Sequence, residues 1–301
     1  MKVPESVKNK LISIILSFIG VCVVLLAGIL APEKTEENDT SKNKYMDNPF
    51  CVTFFDVGQG DCEIISCNGY NILIDGGESE NSGKIVRYLK DNGIEKLDCY
   101  ILTHPHSDHI GVAPYILEEI PCDKVFTTYF SEFNIPTTSL YENTLDAIYE
   151  SGAEPVLVEA GDSFTFGDLK IDILAPVYES DDYNAMSIVC KVSYKEASVL
   201  FTGDTTKNVE QQILDREADV DADILKAAHH GSSTSNSEEF FNAVSPEYVI
   251  ISCGTNNSYG HPHREVMKLL RDNETEYFRT DYDGTVYYFG DGINMTLESS
   301  R

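Results

Sequence analysis

The stretch THPHSDHIG, residues 103–111, places three histidines and one aspartate in a short loop. It follows LDCYIL, an apolar run typical of a buried strand. Imidazole and carboxylate groups are common ligands of zinc and similar divalent ions. Because alternate side chains of such a loop point to one side, we expect His104 and His106 to bind one ion. Asp108 and His109 are then expected to bind a second ion. A polar surface loop with incidental histidines is the alternative, and the density of ligands argues against it.

All seven histidines of the chain fall into short clusters. His229 and His230 form the second cluster, and His261 and His263 the third. Adjacent side chains diverge, so only one of His229 and His230 needs to bind metal, and we favour His230. The other is expected to face the substrate or to move a proton. His261 is expected to contact the substrate or transfer a proton, against the alternative of a capping or surface role.

Short apolar runs separated by glycine, asparagine and aspartate continue from Cys51 to the C terminus. Helices are predicted at SGKIVRYLKDNG, residues 110–119, residues 137–151, KNVEQQILDRE, SEEFFNAV and HREVMKLLRDN. Strands are predicted at CVTFF, CEIISC, YNILID, LDCYILT, EPVLVEA, DSFTFG, LKIDILAP, SIVCKVSY, SVLFTGD, ADILKAA and YVIISCG, and within residues 276–297. This order indicates an α+β domain over residues 50–301, with two mixed sheets packed together and helices outside.

The composition is strongly acidic, with 50 acidic and 22 basic residues and a formal net charge of −28. Such a surface repels polyanions, which argues against a protein whose affinity rests on many phosphate contacts. A small anionic substrate whose charge is met by a metal remains compatible. The cysteines beyond the N-terminal region are scattered, without a CxxC pair, and are expected to be small buried hydrophobes. A disulfide between some pair is the alternative.

An uncharged apolar run covers residues 11–31, with Lys2, Lys8 and Lys10 before it and acidic residues after it. The run is long enough to cross a bilayer, and the basic flank favours an N terminus inside the cell. We therefore predict a cytoplasmic flank at residues 1–10, a transmembrane signal-anchor at 11–31 and a flexible linker at 32–49. The main domain would lie outside the cytoplasm. A cleaved signal peptide and a secreted domain are the alternative.

The pattern His-x-His-x-Asp-His after a strand resembles the signature of the metallo-β-lactamase superfamily. More closely, FFDVGQGD, THPHSDHIG, NAMSIV, FTGD, LKAAHHGSSTS and YGHPH, in this order, are similar to the extracellular hydrolase domain of ComEC-type DNA-uptake competence proteins. The resemblance covers about residues 51–289. It implies an αβ/βα sandwich. We expect a stand-alone, membrane-anchored relative without the channel of the competence proteins.

The resemblance also implies roles for residues outside the histidine clusters. Asp75 is expected to brace the ligand loop by hydrogen bonds, and Asp204 to bridge two ions. The superfamily usually supplies a further histidine ligand between the first cluster and this aspartate. This chain has none there, and Asn184 lies near that place, as a weak ligand or the holder of a water. One ion instead of two is therefore the alternative.

The glycine-rich turn DVGQGD and one strand lysine complete the set of candidate residues. The resemblance places Asp56, Gln59 and Asp61 near the mouth of the metal site in a supporting role, and turn chemistry alone is the alternative. Lys226 would steady a phosphate or a nearby carboxylate, or would be a solvated strand lysine.

These features predict a hydrolase with two divalent ions, zinc or manganese, and a metal-activated water. Asp108 would orient the nucleophile, and His229 would stabilise the transition state or protonate the leaving oxygen. The expected substrate is a phosphodiester in DNA, a cell-envelope polymer or a small molecule. The alternatives are a binding or sensing module that has lost catalysis, and a hydrolase of a lactone or β-lactam. The membrane is a further expected partner, and no feature indicates a protein partner.

Overall fold

The computed structural model describes residues 47–301. The predicted flank and membrane segment, residues 1–31, and most of the linker lie outside this range. Among the described residues, no helix is long and apolar enough to cross a membrane.

The strands form two mixed sheets. They are β1 (Phe50–Phe54), β2 (Cys62–Cys67), β3 (Tyr70–Asp75), β4 (Cys99–Ile101), β5 (Lys124–Thr127), β6 (Glu154–Leu157), β7 (Ser163–Phe166), β8 (Leu169–Ala175), β9 (Val189–Tyr194), β10 (Ala197–Phe201), β11 (Ile224–Lys226), β12 (Tyr248–Ile251), β13 (Glu276–Arg279), β14 (Val286–Gly290) and β15 (Met295–Ser299). One sheet has eight strands in the order β15-β14-β1-β2-β3-β4-β5-β6, and the other has seven in the order β13-β12-β11-β10-β9-β8-β7.

Helices cover the outer faces of these sheets. They are α1 (Ser82–Asp91), α2 (Ser107–Ile110), α3 (Ala113–Glu119), α4 (Ser139–Ser151), α5 (Lys207–Asp215), α6 (Glu238–Val244), α7 (Arg264–Asp272) and α8 (Thr280–Asp283), with 3-10 turns at Ser79–Asn81, Asn184–Met186 and Ala228–Gly231. Local chemistry sets their ends, as α4 shows. The hydroxyl of Thr138 accepts the Tyr141 N–H, and Gly152 takes the left-handed conformation that ends the helix.

Three apolar clusters hold the layers together. One lies between the eight-stranded sheet and α1, α3 and α4, and another between the seven-stranded sheet and α5, α6 and α7. The third fills the space between the two sheets, where the rings of Phe54 and Phe201 stack with centroids 5.9 Å apart. The predicted arrangement of two mixed sheets with outer helices is confirmed.

The local predictions hold with two differences. The helix predicted over residues 110–119 begins later, at Ala113, because the chain turns at Gly111 and Val112 after the short helix α2 ends at Ile110. Pro114 lies in the first turn of α3, where proline is favoured. The predicted strand region 276–297 contains the short helix α8, which ends at Gly284 with φ of 72°. All seven cysteines in the described range are buried and free, as predicted for small hydrophobes.

Parallel pairing brings the chemistry-bearing segments to one edge of the sandwich. Strand β3 runs parallel to β4, and β10 runs parallel to β11, which runs parallel to β12. The carboxyl ends of parallel strands meet at the same edge of a sheet. Asp75, the ligand loop after β4, and Asp204 after β10 therefore lie close together.

Candidate metal centre

The ligand loop is tied to the end of β3 by Asp75, which is fully buried. Its Oδ1 accepts the backbone N–H of Thr103 at 2.9 Å, and its Oδ2 accepts the Thr103 hydroxyl at 2.6 Å. His109 donates from Nδ1 to the same Oδ2 at 2.7 Å. Since Nδ1 of His109 donates to Asp75, its other ring nitrogen, Nε2, faces Asp204 at 3.2 Å.

The same reasoning shows which ring nitrogen of His104 carries the proton. The Thr103 hydroxyl gives its proton to Asp75, so its oxygen accepts from Nδ1 of His104, 3.1 Å away. Nε2 of His104 is then a bare acceptor, and it lies 3.0 Å from Nδ1 of His106. Two imidazole nitrogens at this distance share either a proton or a cation.

Asp204, which follows β10, lies where the ligand groups meet. Its Oδ1 is 3.2 Å from Nε2 of His109 and 3.6 Å from Nε2 of His230. Its Oδ2 is 3.8 Å from Nε2 of His104. Two groups of side chains share Asp204 and have ligand atoms within 4.8 Å of one another: Asp108, His109, Asp204 and His230; and His104, His106 and Asp204. A third group, Asp61, Asp75 and His109, lies behind them. Asp204 belongs to the first two groups, as a bridging ligand would.

The adjacent His229 and His230 point to different places because both take left-handed backbone conformations, with φ of 51° and 55°. His230 is buried and donates from Nδ1 to the Ser252 carbonyl at 3.0 Å, while its Nε2 lies 3.3 Å from Oδ2 of Asp108 and 3.6 Å from Oδ1 of Asp204. His229 is partly exposed, with Nε2 3.5 Å from Oδ2 of Asp204. The geometry therefore puts His230 in the ligand group and His229 at its open side.

A buried carboxylate and an amide hold this histidine turn in place. A left-handed conformation costs a residue other than glycine about 1–2 kcal/mol, so two in succession need support from their surroundings. The amide of Asn236 accepts the Ala228 N–H at 3.0 Å and donates to the carbonyls of Ala228 and Ser232. Glu210, fully buried on α5, accepts the Asn236 N–H at 2.6 Å. The sequence analysis missed both residues.

The close packing of carboxylates and imidazoles shifts the pKa values of the candidate ligands. Burial opposes ionisation of Asp204, but the neighbouring His109 and His230 hold its pKa well below the usual value. Burial lowers the pKa of His230, but the carboxylates of Asp204 and Asp61 outweigh this effect and raise it to about 10. Burial, together with the neighbouring His109, lowers the pKa of His104 well below its usual value.

The donor set fits divalent metal ions. Among the described residues, Nε2 of His109 and Oδ1 of Asp204 have no hydrogen-bond partner, although both are buried and lie 3.2 Å apart, and Oδ1 of Asn184 is another such buried atom. Buried polar atoms are normally satisfied, so unpaired ligand atoms gathered in this way fit the binding of a cation. Histidine nitrogens oriented by outer hydrogen bonds, with carboxylates beside them, are typical of metal sites.

These groups open onto a cleft in the surface. Its lining residues are Gln59, His106, Ser107, Asp108, Asn184, Asp204, His229, His230, Tyr259 and His261. Nδ1 of His261 is buried without a partner, and its ring centroid is 5.5 Å from that of His229. His263 lies beside the cleft, where its Nδ1 accepts the Ser233 N–H at 2.9 Å.

The DVGQGD turn positions Asp108 through the backbone. The Asp61 N–H donates to the Asp108 carbonyl at 3.1 Å, and Gly60 lies so close that a Cβ there would be 2.4 Å from that oxygen. Gln59 lines the cleft and accepts the Gly254 N–H at 3.1 Å. Asp56 lies outside the ligand groups, and its carboxylate pairs with Arg301 at 2.9 Å.

Lys226 is buried and does not line the cleft. Its Nζ donates to Oδ2 of Asp61 at 2.7 Å, and Oδ1 of Asp61 is 3.2 Å from Nδ1 of His230. Burial opposes ionisation of Asp61, but Lys226 and His230 hold its pKa at about 2. The lysine therefore steadies a carboxylate behind a candidate ligand. Glu63 is a second buried carboxylate in this region. The sequence analysis did not identify it as buried, because it is a single acidic residue in the apolar strand β2.

We predict that Gly60→Ala weakens metal binding. The added Cβ collides with the Asp108 carbonyl, and φ of +141° already disfavours a side chain. Displacing a group that orients a ligand typically lowers metal affinity about 10- to 100-fold. Competition with a chelating dye measures this. Gly58→Ala is the matched control, because it also has a positive φ but no atom within 4 Å of the new Cβ. Equal affinities in both variants would contradict the role of the turn.

We predict that Asn236→Gly loosens the turn that carries His230. Glycine tolerates the φ of 59° at this position, so the variant removes the bridging amide without adding backbone strain. Zinc affinity should fall about 10-fold or more while the fold persists in circular dichroism. Asn68→Gly, at a distant left-handed turn with φ of 48°, should leave the affinity unchanged. A similar loss in both variants would assign the effect to general destabilisation.

We predict that metal binding releases protons. The pKa of His230, about 10, means that its ring is protonated at neutral pH before a metal arrives. Each displaced proton makes the apparent metal affinity rise about tenfold per pH unit below that pKa. Zinc titrations by calorimetry, in buffers of different ionisation enthalpy at about pH 7 and pH 8, count the protons. An affinity that does not change with pH would contradict this assignment.

Comparison with known proteins agrees with this geometry. The family model of the metallo-beta-lactamase superfamily matches residues 55–255. ComE operon protein 3 of Bacillus subtilis is 33% identical over 260 residues, which are 79% of this chain and 32% of that protein. Competence protein ComA of Neisseria gonorrhoeae is 30% identical over 272 residues, 88% of this chain and 35% of that protein. The chain thus spans about a third of the length of these relatives, and the predicted resemblance to competence proteins is confirmed.

A solved structure gives the same fold at low identity. The metallo-beta-lactamase fold protein YhfI of Bacillus subtilis superposes with a TM-score of 0.51 and 11% identity, over 82% of this chain and 99% of that protein. The matched model covers both ligand groups, from the DVGQGD turn to the histidine turn. From the fold, the ligand set and this match, we conclude that the chain belongs to the metallo-beta-lactamase superfamily.

Proposed function

We propose that this chain is a metal-dependent phosphodiesterase that works outside the cytoplasm, anchored by residues 11–31. The observation that carries the proposal is the meeting of two ligand groups on Asp204 at the floor of an open cleft. Paired ions about 4 Å apart are common in enzymes that cleave phosphate esters. The natural substrate would be a phosphodiester in DNA, a cell-envelope polymer or a small molecule.

Two zinc or manganese ions would be held by different residues. His104, His106 and Asp204 would hold one, and the group of Asp108, His109, Asp204 and His230 the other. Asn184 lines the cleft with a buried Oδ1 that has no partner, and its amide oxygen would complete the first site in place of the histidine usual in the superfamily. An amide oxygen is a weaker ligand than imidazole, so this site would lose its ion first.

When bound, ions of this kind polarise a phosphoryl oxygen and lower the pKa of a coordinated water. Asp108 has 23% of its side chain exposed and faces the cleft, where its free carboxylate oxygen would orient the attacking water. His229 would act from the other side. Burial lowers the pKa of His229, so it is neutral at pH 7 and its Nε2 would hydrogen-bond the phosphate or pass a proton.

His261 is the residue proposed to serve the leaving group. Burial, together with the nearby His230, lowers its pKa to about 4, so the ring is neutral at physiological pH. Its ring lines the cleft, while its Nδ1 is buried and has no hydrogen-bond partner among the described residues. A neutral imidazole can donate a hydrogen bond, which would stabilise the charge that develops on a departing alkoxide.

The relatives support a phosphodiester more than a lactone or β-lactam. One of the relatives is a competence protein by name, and the DNA that competence proteins take up is a phosphodiester polymer. Membrane attachment at residues 11–31 would place the domain where extracellular polymers are processed. The acidic surface favours short or small diesters over tight binding of long duplexes.

We predict that the full chain, loaded with zinc or manganese, hydrolyses bis(p-nitrophenyl) phosphate. Asp108→Ala should lower turnover by at least about a hundredfold, because it removes both a metal ligand and the group that orients the water. Metal content by mass spectrometry, measured on the same samples, separates loss of an ion from loss of catalysis. About two ions per chain are expected in the wild type, and one ion with activity would mean that Asn184 marks a lost site.

Asp56→Asn is the matched control, because this carboxylate belongs to neither ligand group and pairs with Arg301. Its turnover should stay within about twofold of the wild type, as expected for a substitution away from the site. Bound metal without hydrolysis of any diester would overturn the proposal and favour a binding or sensing module. Faster hydrolysis of a lactone or β-lactam would reassign the substrate class.

A further inference from the structure

The described part of the cleft offers no cationic side chain of the kind that usually binds a phosphate backbone. None of the described residues that line it is lysine or arginine. Lys226, in the strand that leads to the histidine turn, is buried and pairs with Asp61. Ser107 at the rim donates to the carboxylate of Glu78 at 2.8 Å, which adds negative charge there. Phosphates on either side of the scissile one would therefore gain little from ion pairing.

An exposed aromatic ring is available instead. Tyr259 is 64% exposed and lines the cleft. Its ring stacks on His261, with centroids 5.6 Å apart and planes at 21°. The side chain thus forms a flat apolar surface directly beside His261. Burial of an aromatic ring normally stabilises a protein, so a ring left this exposed is available to a ligand.

The backbone around Tyr259 is held in place. Asn257 donates to the carbonyls of Gly254 and His261 at 2.9 and 2.7 Å, and its Oδ1 accepts the His261 N–H at 2.9 Å. The Tyr259 carbonyl accepts from Nε2 of His263 at 3.2 Å. A ring presented on a fixed loop loses little conformational entropy when a ligand stacks on it.

We propose that Tyr259 is a stacking surface for a nucleobase next to the scissile phosphate, and that the substrate is a short or single-stranded nucleic acid. This inference rests on the proposed phosphodiesterase function. Bases in a duplex already stack on their neighbours, whereas an unpaired base has a free face for an aromatic side chain. Stacking does not depend on charge. It can therefore contribute affinity in a cleft whose described lining offers no lysine or arginine to the phosphates.

The first experiment measures binding without turnover. The zinc-loaded full chain is titrated by calorimetry with deoxyadenosine 5′-monophosphate and with deoxyribose 5-phosphate, which lacks the base. We expect the nucleotide to bind about tenfold more tightly, as one base–aromatic stack allows. Tyr259→Leu should abolish this preference, and Tyr259→Phe should keep it. Tyr149→Leu, at another exposed tyrosine on α4, is the matched control and should keep it.

The second experiment measures turnover of a deoxyadenosine dinucleotide and of the same diester with one abasic sugar. In Tyr259→Leu, the KM for the dinucleotide relative to the KM for the abasic diester should rise about tenfold, a ratio that cancels any effect of the substitution on His261. If the wild type cleaves neither diester, the phosphodiesterase proposal fails and the calorimetry still decides the stacking site. Equal binding of the two probes by the wild type, or a preference that survives in Tyr259→Leu, would overturn the inference.

Discussion

The hydrogen bonds to the buried carboxylate of Asp75 are the constraint on which the rest of the site depends. This one side chain accepts from the Thr103 backbone, the Thr103 hydroxyl and the His109 ring. These bonds fix the loop against the end of β3 and decide which nitrogen of His104 and His109 faces inward. Because leaving a buried acceptor unpaired costs about 1–3 kcal/mol, the ligand loop and the sheet edge form one unit. The imidazoles are therefore oriented by the fold itself.

Asp204 then makes a cation necessary. It lies among imidazoles whose inward nitrogens are acceptors, and its own Oδ1 has no hydrogen-bond partner. Acceptors that face one another repel unless a proton or a metal lies between them. In the metal-free chain, protons on the histidines separate these acceptors. The neighbouring carboxylates stabilise the protonated ring of His230 and raise its pKa to about 10. Metal and proton thus compete for the same places, and metal binding contributes to the stability of the fold.

The sequence predicted most of the fold and the members of the site, because periodic apolar runs and clustered histidines are local signals. It did not predict contacts between distant segments. Lys226 pairs with Asp61, which is 165 positions away, so its pattern alone was compatible with a solvated strand residue. The choice between His229 and His230 depended on left-handed backbone angles that no residue type in AHHG demands. Glu210 was hidden as a polar residue in an amphipathic helix, although it supports the histidine turn through Asn236.

Charge also limits how this chain can recognise a polymer. With a net charge of −28, long-range forces oppose the approach of a polyanion, and the opposition grows with each phosphate brought to the surface. For the proposed substrate, short-range attraction would then come from a few contacts inside the cleft, where bound cations and neutral imidazoles such as His261 would meet a single phosphate. The affinity of such a site would increase little with the length of the substrate polymer. The balance between these terms therefore favours a flexible end or a small diester over the middle of a stiff duplex.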